Sequence, residues 1–386
     1  MYSIALKMLI GDRGKYLGII MGLTFASLLI TQQSAIFTGL MTRTYGLITD
    51  LSQPDLWVMD PKVQFVDDIK SLQDTELFRV RGIDGVEWAV PFYKGLLKAR
   101  LEEGNFQICN VFGLDDATLI GGPPTMLQGS LNDLRQQDAI IVNDVGANTR
   151  LARKPKKPGG KSTPLKVGDS LEINDHRAIV VGICRVSRTF QSQPVIYTTY
   201  SRATTFAPRE RKLLSFILVK AKEGQTHKVL CQRIEQRTGL SAYTSQEFKD
   251  LTYNYFMKST GIPINFGIAV ALGFIIGTAI AGQTFYNFTL ENLRYFGTLK
   301  AMGATNGLLL RMILLQALIV GAIGYGLGVG GASLFGYAMR GTELSFRLTS
   351  DLLYLSGGAI TVIIIFSALI SIRKVMKLEP AIVFKG

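Results

Sequence analysis

The sequence predicts an α-helical membrane protein with four transmembrane helices in a 1+3 arrangement. A large extracytoplasmic α/β domain, which carries an inserted β subdomain, is expected between helices one and two. The 386 residues are 47% hydrophobic and only 18% charged, which is more apolar than an average soluble protein. Four windows without charged residues could each supply the roughly 20 apolar residues that cross a bilayer. They lie between Lys15 and Arg43, Lys258 and Glu291, Arg311 and Arg340, and Asp351 and Arg373.

The first of these windows is the weakest. Gln32 and Gln33 interrupt it, and the cations before it resemble the n-region of a signal peptide. We nevertheless expect an uncleaved anchor, because four spans place both termini on the same side, and that side collects the positive charge.

Lysine and arginine are concentrated at both termini and between the second and third windows. The loop between the third and fourth windows carries only Arg340 and Arg347, balanced by Glu343 and Asp351. Because short cytoplasmic flanks accumulate Lys and Arg, we expect both termini in the cytoplasm. The cations expected there are Lys7, Arg13, Lys15, Arg294, Lys300, Arg311, Arg373, Lys374, Lys377 and Lys385.

The predicted boundaries follow from the windows and the charges. The chain should begin with a cytoplasmic amphipathic segment and end with a cytoplasmic tail. In order, the segments are the N-terminal segment at 1–15, transmembrane helix 1 at 16–42, the periplasmic domain at 43–261, transmembrane helix 2 at 262–290, a cytoplasmic segment at 291–306, transmembrane helix 3 at 307–339, a short periplasmic loop at 340–351, transmembrane helix 4 at 352–372 and the tail at 373–386.

The periplasmic segment alternates strand-like and helix-like patterns. "PDLWVMD" predicts an alternating strand, "DDIKSLQDTELFRVRGI" a helix, and "VEWAVPFYKGLLKARL" and "NFQICNVFGLD" a strand pair around the turn "EEGN". Short β-rich runs then follow at regular spacing. "LLSFILVKAKEG" predicts a strand, "THKVLCQRIEQRTG" a helix that ends on Gly239, and "TSQEFKDLTYNYFMKST" a helix that runs into span two. These patterns predict α/β halves at about 50–115 and 205–260 around a β subdomain at about 116–204.

Two motif-like stretches fail as nucleotide sites. "PKKPGGKS" ends like a phosphate-binding loop, but Pro155 stands where that motif needs glycine. "GLGVGG" has dinucleotide-fingerprint spacing, yet it lies inside the third span with no strand before it. We interpret its glycines as a smooth face for close helix contact. The predicted helix-packing glycines are Gly273 and Gly277 in the second span and Gly321, Gly324, Gly328 and Gly331 in the third.

No pattern predicts catalysis, so the chain by itself is not expected to be an enzyme. His176 and His227 are interpreted as surface residues, and no serine or cysteine lies in a nucleophile turn. The three cysteines, Cys109, Cys184 and Cys231, are too widely spaced for a metal motif or a disulfide framework, although a single bridge stays possible. Uncharged spans disfavour proton- or ion-coupled transport. We expect no cofactor and no metal bound by this chain.

The net charge of +13 is divided between the membrane flanks and a mildly basic periplasmic domain, so no nucleic-acid partner is expected. Seven cations accumulate in a Pro- and Gly-rich linker at 150–166. They are interpreted as a solvated loop or, alternatively, as a contact for an acidic partner or an anionic lipid headgroup. The seven are Arg150, Arg153, Lys154, Lys156, Lys157, Lys161 and Lys166.

The stretch "ENLRYFGTLKAMGATN", residues 291–306, resembles the signature of the MacB/FtsX-like permeases of ABC transporters (type VII). An acidic residue is followed by a glycine and then by a basic-Ala-apolar-Gly-Ala run. The ending "IRKVMKLEPAIVFKG", the start "ALKMLIGDRGKYLGII" and the span layout are similar to the same family. Without a fused ATPase domain, and with "PDLWVMDPKVQFVD", the chain looks closest to the DevC-type exporter permeases. The resemblance implies an ATPase-coupling segment that contains Glu291, Arg294, Gly297, Lys300, Ala301, Met302, Gly303 and Ala304.

Considered without the resemblance, residues 291–306 allow two interpretations. A helix with charges on one face, and with Gly297 and Gly303 allowing turns at its boundaries, can dock in a groove of a cytoplasmic ATPase. Thr305 or Asn306 can then cap the third span. The alternative is an ordinary loop whose cations only set the topology, and the resemblance favours coupling.

The resemblance implies mechanotransmission in the inner membrane of a bacterium. Two copies of the chain would pair through spans one and two, above two copies of a cytoplasmic ABC ATPase that bind ATP and Mg. The periplasmic domain would move and export a lipid, glycolipid or other hydrophobic substrate, together with a periplasmic membrane fusion (adaptor) protein and an outer-membrane channel. The alternatives are a lipoprotein-extracting permease, an FtsX-like regulator of a cell-wall hydrolase that transports nothing, and a membrane sensor for peptide antibiotics.

Overall fold

A computed structural model describes residues 2–11, 13–101, 104–153, 162–208 and 214–376. The chain forms two compact units, one of residues 1–40 with 261–386 and the other of Met41–Thr260. We call the first the helical unit and the second the large domain. The family-like ending beyond Met376 and the linker cations Lys154, Lys156, Lys157 and Lys161 lie outside the described residues.

The helical unit is built from long apolar helices. With helices numbered along the whole chain, it contains α1 (Tyr2–Gly11), most of α2 (Arg13–Thr44), α9 (Ile262–Glu291), α10 (Leu293–Ala301), α11 (Asn306–Ala338) and α12 (Ser350–Met376). Among the described residues, four helices are long and apolar enough to cross a membrane, at Arg13–Thr44, Ile262–Glu291, Asn306–Gly341 and Ser350–Ile372. At about 1.5 Å per residue, each of them can cross a core of about 30 Å. The four predicted membrane helices are therefore confirmed.

A single apolar core joins the helices of this unit. Its fully buried members come from α1, α2, α9, α10, α11 and α12, and include Ala5, Leu23, Phe285, Phe296, Met312 and Ile363. Both short helices, α1 and α10, therefore pack into the same core as the four long ones.

The large domain contains a mixed β-sheet. In the described part of the chain its strands are β1 (Leu56–Met59), β2 (Val86–Arg100), β3 (Phe106–Leu114), β4 (Thr125–Gln128), β5 (Ala139–Asn143), β6 (Ser170–Ile173), β7 (His176–Arg185), β8 (Val195–Thr199), β9 (Phe216–Ala221) and β10 (Ser241–Thr244). Their order is β10-β1-β9-β2-β3-β8-β5-β7-β4, and β6 pairs with β2 and β7. β3 runs parallel to β8, and β5 runs parallel to β7, whereas the other pairs are antiparallel.

Helices cover both faces of this sheet at its β1–β9 end. The helices of the domain are α3 (Gly46–Asp50), α4 (Asp74–Arg81), α5 (Asp144–Asn148), α6 (Tyr200–Phe206), α7 (His227–Thr238) and α8 (Ser245–Ser259). Val58 of β1 shares a core with α4 and α7, whereas Trp57 shares another with α3 and α8. This arrangement confirms the predicted α/β class, with strands and helices in separate layers.

Several local predictions are confirmed. β2 and β3 pair antiparallel from Tyr93–Gly113 to Arg100–Phe106, as "VEWAVPFYKGLLKARL" and "NFQICNVFGLD" predict. α7 ends on Gly239, which adopts φ +76° as a helix-terminating glycine does. α8 occupies Ser245–Ser259, as "TSQEFKDLTYNYFMKST" predicts, and it begins with a capping box between Thr244 and Glu247.

Three local predictions are wrong. β1 is buried at every position and not at alternate ones, because both faces of the sheet are covered there. The helix predicted from Ile69 occupies only Asp74–Arg81, because Leu72 pairs with Leu214 in an isolated β-bridge. α8 does not continue into α9, since Thr260 is extended and Pro263 lies in the first turn of a new helix. β3 pairs with both β2 and β8, so the central strands are continuous with the rest of the sheet, and the bounds of the β subdomain stay a prediction.

The three thiols and three of the seven linker cations lie among the described residues of the large domain. Cys109, Cys184 and Cys231 are free and buried, and burial raises the pKa of each thiol to about 12. Arg153 donates to the Asp169 carboxylate at 2.9 Å, so its charge is balanced within the domain. Arg150 is half-buried and Lys166 is exposed.

Candidate coupling surface

The connection between α9 and α11 is a short helix, α10, that is set off from both neighbours by defined turns. α9 ends at Glu291, and Asn292 forms the corner with φ −87° and ψ 6°. The Asn292 side-chain amide donates back to the Phe288 carbonyl at 2.8 Å, and the Phe296 amide donates to the Asn292 carbonyl. These bonds satisfy backbone groups that a helix end leaves open. Residues 291–306 are therefore largely helical, as predicted.

One face of α10 is buried in the core of the helical unit. Phe296 is fully buried, Leu299 nearly so, and Gly297 is buried between them in the middle of the helix. The prediction that Gly297 allows a turn is wrong, because the helix continues through it from Leu293 to Ala301. Gly297 is instead a small residue on the buried face of the helix.

The opposite face of α10 is exposed. Tyr295 is 62% exposed and Met302, just after the helix, is 69% exposed. The spacing of the exposed residues matches one helical face. Its members are Arg294, Tyr295, Thr298, Ala301 and Met302. The surface offers a cation, an aromatic ring and a thioether, which are residue types enriched at protein interfaces.

Gly303 ends α10 through a Schellman motif. Its φ is +93°, its amide donates to the Lys300 carbonyl at 3.1 Å, and the Ala304 amide donates to the Leu299 carbonyl at 3.0 Å. A Cβ added to Gly303 would meet nothing within 4 Å. Glycine is therefore favoured here by the backbone conformation and not by lack of space. Two residues later, Thr305 caps α11 by accepting a bond from the Leu308 amide at 3.4 Å.

Residues near the N-terminus contact both the start of this segment and the helix that follows it. Glu291 forms an ion pair with Lys15 of α2. Gln316 of α11 is almost fully buried and donates its amide to the carbonyl of Ala5 in α1 at 2.7 Å. Sequence reasoning missed Gln316, although a lone amide inside an uncharged span is an unusual feature.

The predicted helix-packing glycines lie where helices approach closely. A Cβ on Gly273 or Gly277 would meet Leu29 or Ala26 of α2, and a Cβ on Gly324 would lie 2.7 Å from the Cβ of Leu23. α2 therefore contacts glycines of both α9 and α11. The remaining three approaches are Gly328 to Ser27, Gly331 to Leu28, and Gly321 to Ile364 of α12. Close contact at small residues is the usual way in which helices associate in lipid.

Comparison with known proteins identifies the family. The MacB-like periplasmic core domain matches residues 16–237, which is more than half of the chain, and the FtsX-like permease C-terminal domain matches residues 266–380. The chain belongs to the MacB/FtsX-like ABC transporter permeases. Within the FtsX-like match lie most of α9 and all of α10, α11 and α12, so the surface of α10 is part of the region that this family shares.

Individual relatives of this MacB/FtsX-like permease are distant. An uncharacterised ABC transporter permease of Methanocaldococcus jannaschii is 25% identical over 238 residues, which are 58% of this chain and 58% of the relative. A probable export ATP-binding/permease protein of Pseudomonas fluorescens is 22% identical over 261 residues, which are 65% of this chain and 38% of the relative. The matches thus span about half the length of these relatives.

Two solved structures are similar to about half of this chain. The extracellular domain of the noncanonic ABC-type transporter YknZ from Gram-positive bacteria has a TM-score of 0.33 at 15% identity, over 50% of this chain and 98% of that one. The periplasmic region of MacB from Actinobacillus actinomycetemcomitans has a TM-score of 0.38 at 13% identity, over 54% and 96%.

Proposed function

We propose that this chain is the permease subunit of an ABC exporter that works by mechanotransmission. In this proposal a separate cytoplasmic ABC ATPase, in two copies that bind ATP and Mg, docks on residues 291–306. The large domain is periplasmic and moves when the ATPase closes. The cargo is a lipid, glycolipid or other hydrophobic molecule, which passes onward through a periplasmic adaptor and an outer-membrane channel.

The observation that carries the proposal is the two-sided structure of α10. Phe296 and Leu299 anchor the helix in the core that the long helices share, while Tyr295 and Met302 are exposed. A partner that moves this exposed face therefore acts on a helix that shares one core with α1, α9 and α11. Since packed cores transmit strain and are not continuously deformable, such motion would pass into the long helices without requiring a channel.

The same proposal includes a homodimer in the inner membrane with both termini in the cytoplasm. Exposed isoleucines and a leucine along α9 provide an apolar face for lipid or a second copy of the chain. They are Ile264, Ile268, Leu272, Ile275, Ile276 and Ile280. The topology can be tested by a reporter that is active only in the cytoplasm, fused after residue 160. A strong signal from that fusion would contradict the proposal.

ATPase coupling can be tested with the purified full chain in lipid nanodiscs and candidate ABC ATPases of its own organism. Two quantities are measured: the stimulation of ATP hydrolysis by the chain, and the mass of the complex between the chain and the ATPase. Arg294→Glu and Tyr295→Ala should each reduce stimulation by at least about tenfold, because hot-spot residues carry most of the energy at interfaces. Tyr354→Ala is the matched control, since Tyr354 is 79% exposed near the start of α12. Full stimulation and complex formation in both α10 variants would refute the coupling assignment.

A further inference from the structure

Three adjoining cavities in the large domain share the same two charged side chains. A cavity of about 360 Å³ and another of about 350 Å³ are both lined by Asp67, Ile69, Lys94 and Leu96. A third, of only about 20 Å³, also reaches Asp67 and Lys94. The larger cavities have the size of small-molecule sites, which start at about 300 Å³. We call the space around Asp67 and Lys94 the cleft.

Aromatic rings form one wall of the cleft. Phe65 stacks on Tyr255 with centroids 4.3 Å apart and an interplanar angle of 17°. Phe256 contacts Phe65 at 5.5 Å and Phe190 at 4.9 Å. These rings come from the loop after β1, the β7–β8 connection and the end of α8. Three separate segments thus place apolar rings at one cavity, where Phe65, Phe190 and Tyr255 keep part of their surface accessible.

The floor of the cleft is polar and buried. Lys94 is only 3% exposed and forms an ion pair with Asp67. Asn110 is also 3% exposed, and its side-chain amide donates to the Gln193 side-chain oxygen at 2.9 Å. The Asn110 side-chain oxygen has no hydrogen-bond partner among the described residues. Since buried polar atoms are rarely left without partners, this oxygen is an acceptor available to a ligand or to water.

The charges at the floor are balanced. The charged residues that line the three cavities are equal in number, namely Asp50, Asp67 and Asp68 and the cations Arg43, Lys94 and Arg188. The site therefore favours a polar group without net charge. Asn110 and Gln193 add amide groups, which both donate and accept hydrogen bonds. The Tyr197 hydroxyl, which lines the smallest cavity, has no hydrogen-bond partner in the described part of the chain. Burial holds the pKa of Tyr197 well above its usual range, so it stays a neutral donor.

We propose that the cleft binds one amphiphilic lipid molecule, with its acyl or alkyl chain against Phe65, Phe190 and Tyr255 and an uncharged or zwitterionic head group at Lys94, Asp67 and Asn110. Apolar walls with a few placed polar groups are typical of ligand sites. Thr260 also lines the cleft and precedes the first residue of α9 by two positions. As an assignment of the cargo, this inference rests on the proposed export function, whereas binding itself does not depend on an ATPase.

Binding can be tested with the full chain in nanodiscs and no ATPase. The probe is a lysophosphatidylcholine that carries a diazirine in its acyl chain, and crosslinked peptides are identified by mass spectrometry. Labelling should concentrate on peptides that contain Phe65, Phe190 and Tyr255. Phe190→Ala and Tyr255→Ala should each lower this labelling at least fivefold, whereas Phe106→Ala should leave it unchanged, because Phe106 is exposed on β3 and outside the cleft.

Head-group preference is tested with two further diazirine probes, an alkyl phosphate and an alkane without a head group. In the wild-type chain both should label the cleft at least fivefold less than the zwitterionic probe. Leu96→Lys adds a cation to the cleft wall at a residue that is partly exposed, so the fold should tolerate it. It should raise labelling by the alkyl phosphate at least fivefold relative to the zwitterionic probe.

Two results would overturn the inference. One is labelling by the zwitterionic probe that is spread over the chain and unaffected by Phe190→Ala and Tyr255→Ala. The other is equal labelling of the cleft by all three probes. If the cleft is labelled as expected while the α10 variants still stimulate the ATPase fully, the lipid site stands and the coupling proposal fails. If the α10 variants lose ATPase stimulation while the zwitterionic probe labels the whole chain diffusely, the coupling proposal stands and the lipid site fails.

Discussion

The packing of the helical unit can be tested by substitutions that move one methyl group from α2 to α9 at the position where the two helices contact each other. A Cβ on Gly277 would collide with the Cβ of Ala26 and would lie 3.4 Å from the Cδ1 of Ile363. Ala26 and Ile363 are fully buried, so neither helix can relieve the collision by turning a side chain to the surface. Carbon atoms pack at about 3.5–4.0 Å, and the two backbones must therefore separate.

Gly277→Ala should consequently lower the free energy of unfolding by about 1–3 kcal/mol, the usual effect of overpacking. Ala26→Gly should cost about 1 kcal/mol in helix propensity and about 0.8 kcal/mol for the lost methyl group. The double variant places one methyl group on the opposite helix, so the contact is restored. We expect it to be more stable than the sum of the single variants by about 2 kcal/mol, which is a coupling energy typical of residues in contact.

The assay is unfolding of the full chain in mixed micelles with increasing mole fractions of SDS, followed by far-UV circular dichroism. Gly267→Ala on the same helix is the control, since a Cβ there would meet nothing within 4 Å. It should be neutral or stabilising. Additive effects of Ala26→Gly and Gly277→Ala, or equal effects of Gly267→Ala and Gly277→Ala, would show that close packing of α2 on α9 does not limit stability.

Two further predictions concern a helix end and a half-buried carboxyl group. Gly303→Ala should cost about 1–2 kcal/mol because an L-residue is strained at φ +93°. Gly303→Asn should cost less, and Gly307→Ala, in open space, should cost nothing in the same SDS titration. In the large domain, burial raises the pKa of Asp50 above 3.8, although two hydrogen bonds from Ser187 oppose the shift. Because the folded state binds this proton more tightly, stability should fall as pH rises above about 4 and through the raised pKa. Asp50→Asn should remove that part of the pH dependence in thermal unfolding followed by fluorescence of the chain's two tryptophans, and an unchanged profile would contradict the argument.

The membrane helices were predictable because their signal is local. A window without charges that is long enough to cross a bilayer identifies a span whatever it packs against. The same holds for the β2–β3 pair and for Gly239, where strand pattern and turn chemistry agree over a few residues. The end of α10 at Gly303 was predictable for the same reason, since a glycine directly after a helical pattern indicates a helix end with a left-handed backbone conformation.

Prediction failed where distant residues decide the local structure. Gly297 has the same freedom as Gly303, but the core around Phe296 keeps it helical. Leu72 has helical spacing with Ile69, yet its β-bridge partner, Leu214, is far away in the chain. Intrinsic propensity is a weak prior that such tertiary contacts override.

By itself the sequence determined the number of membrane helices, the position of the large domain between the first and second of them, and the glycines available for close packing. These depend on hydrophobicity and residue size, which every short segment carries independently of the rest. Only the tertiary structure decided which face of α10 is buried and that Gln316 binds the backbone of α1. It also decided that Phe65, Phe190 and Tyr255 line one cavity with Lys94 and Asp67. Those features join segments far apart in the chain, and burial and pairing between such segments are properties of the packed fold.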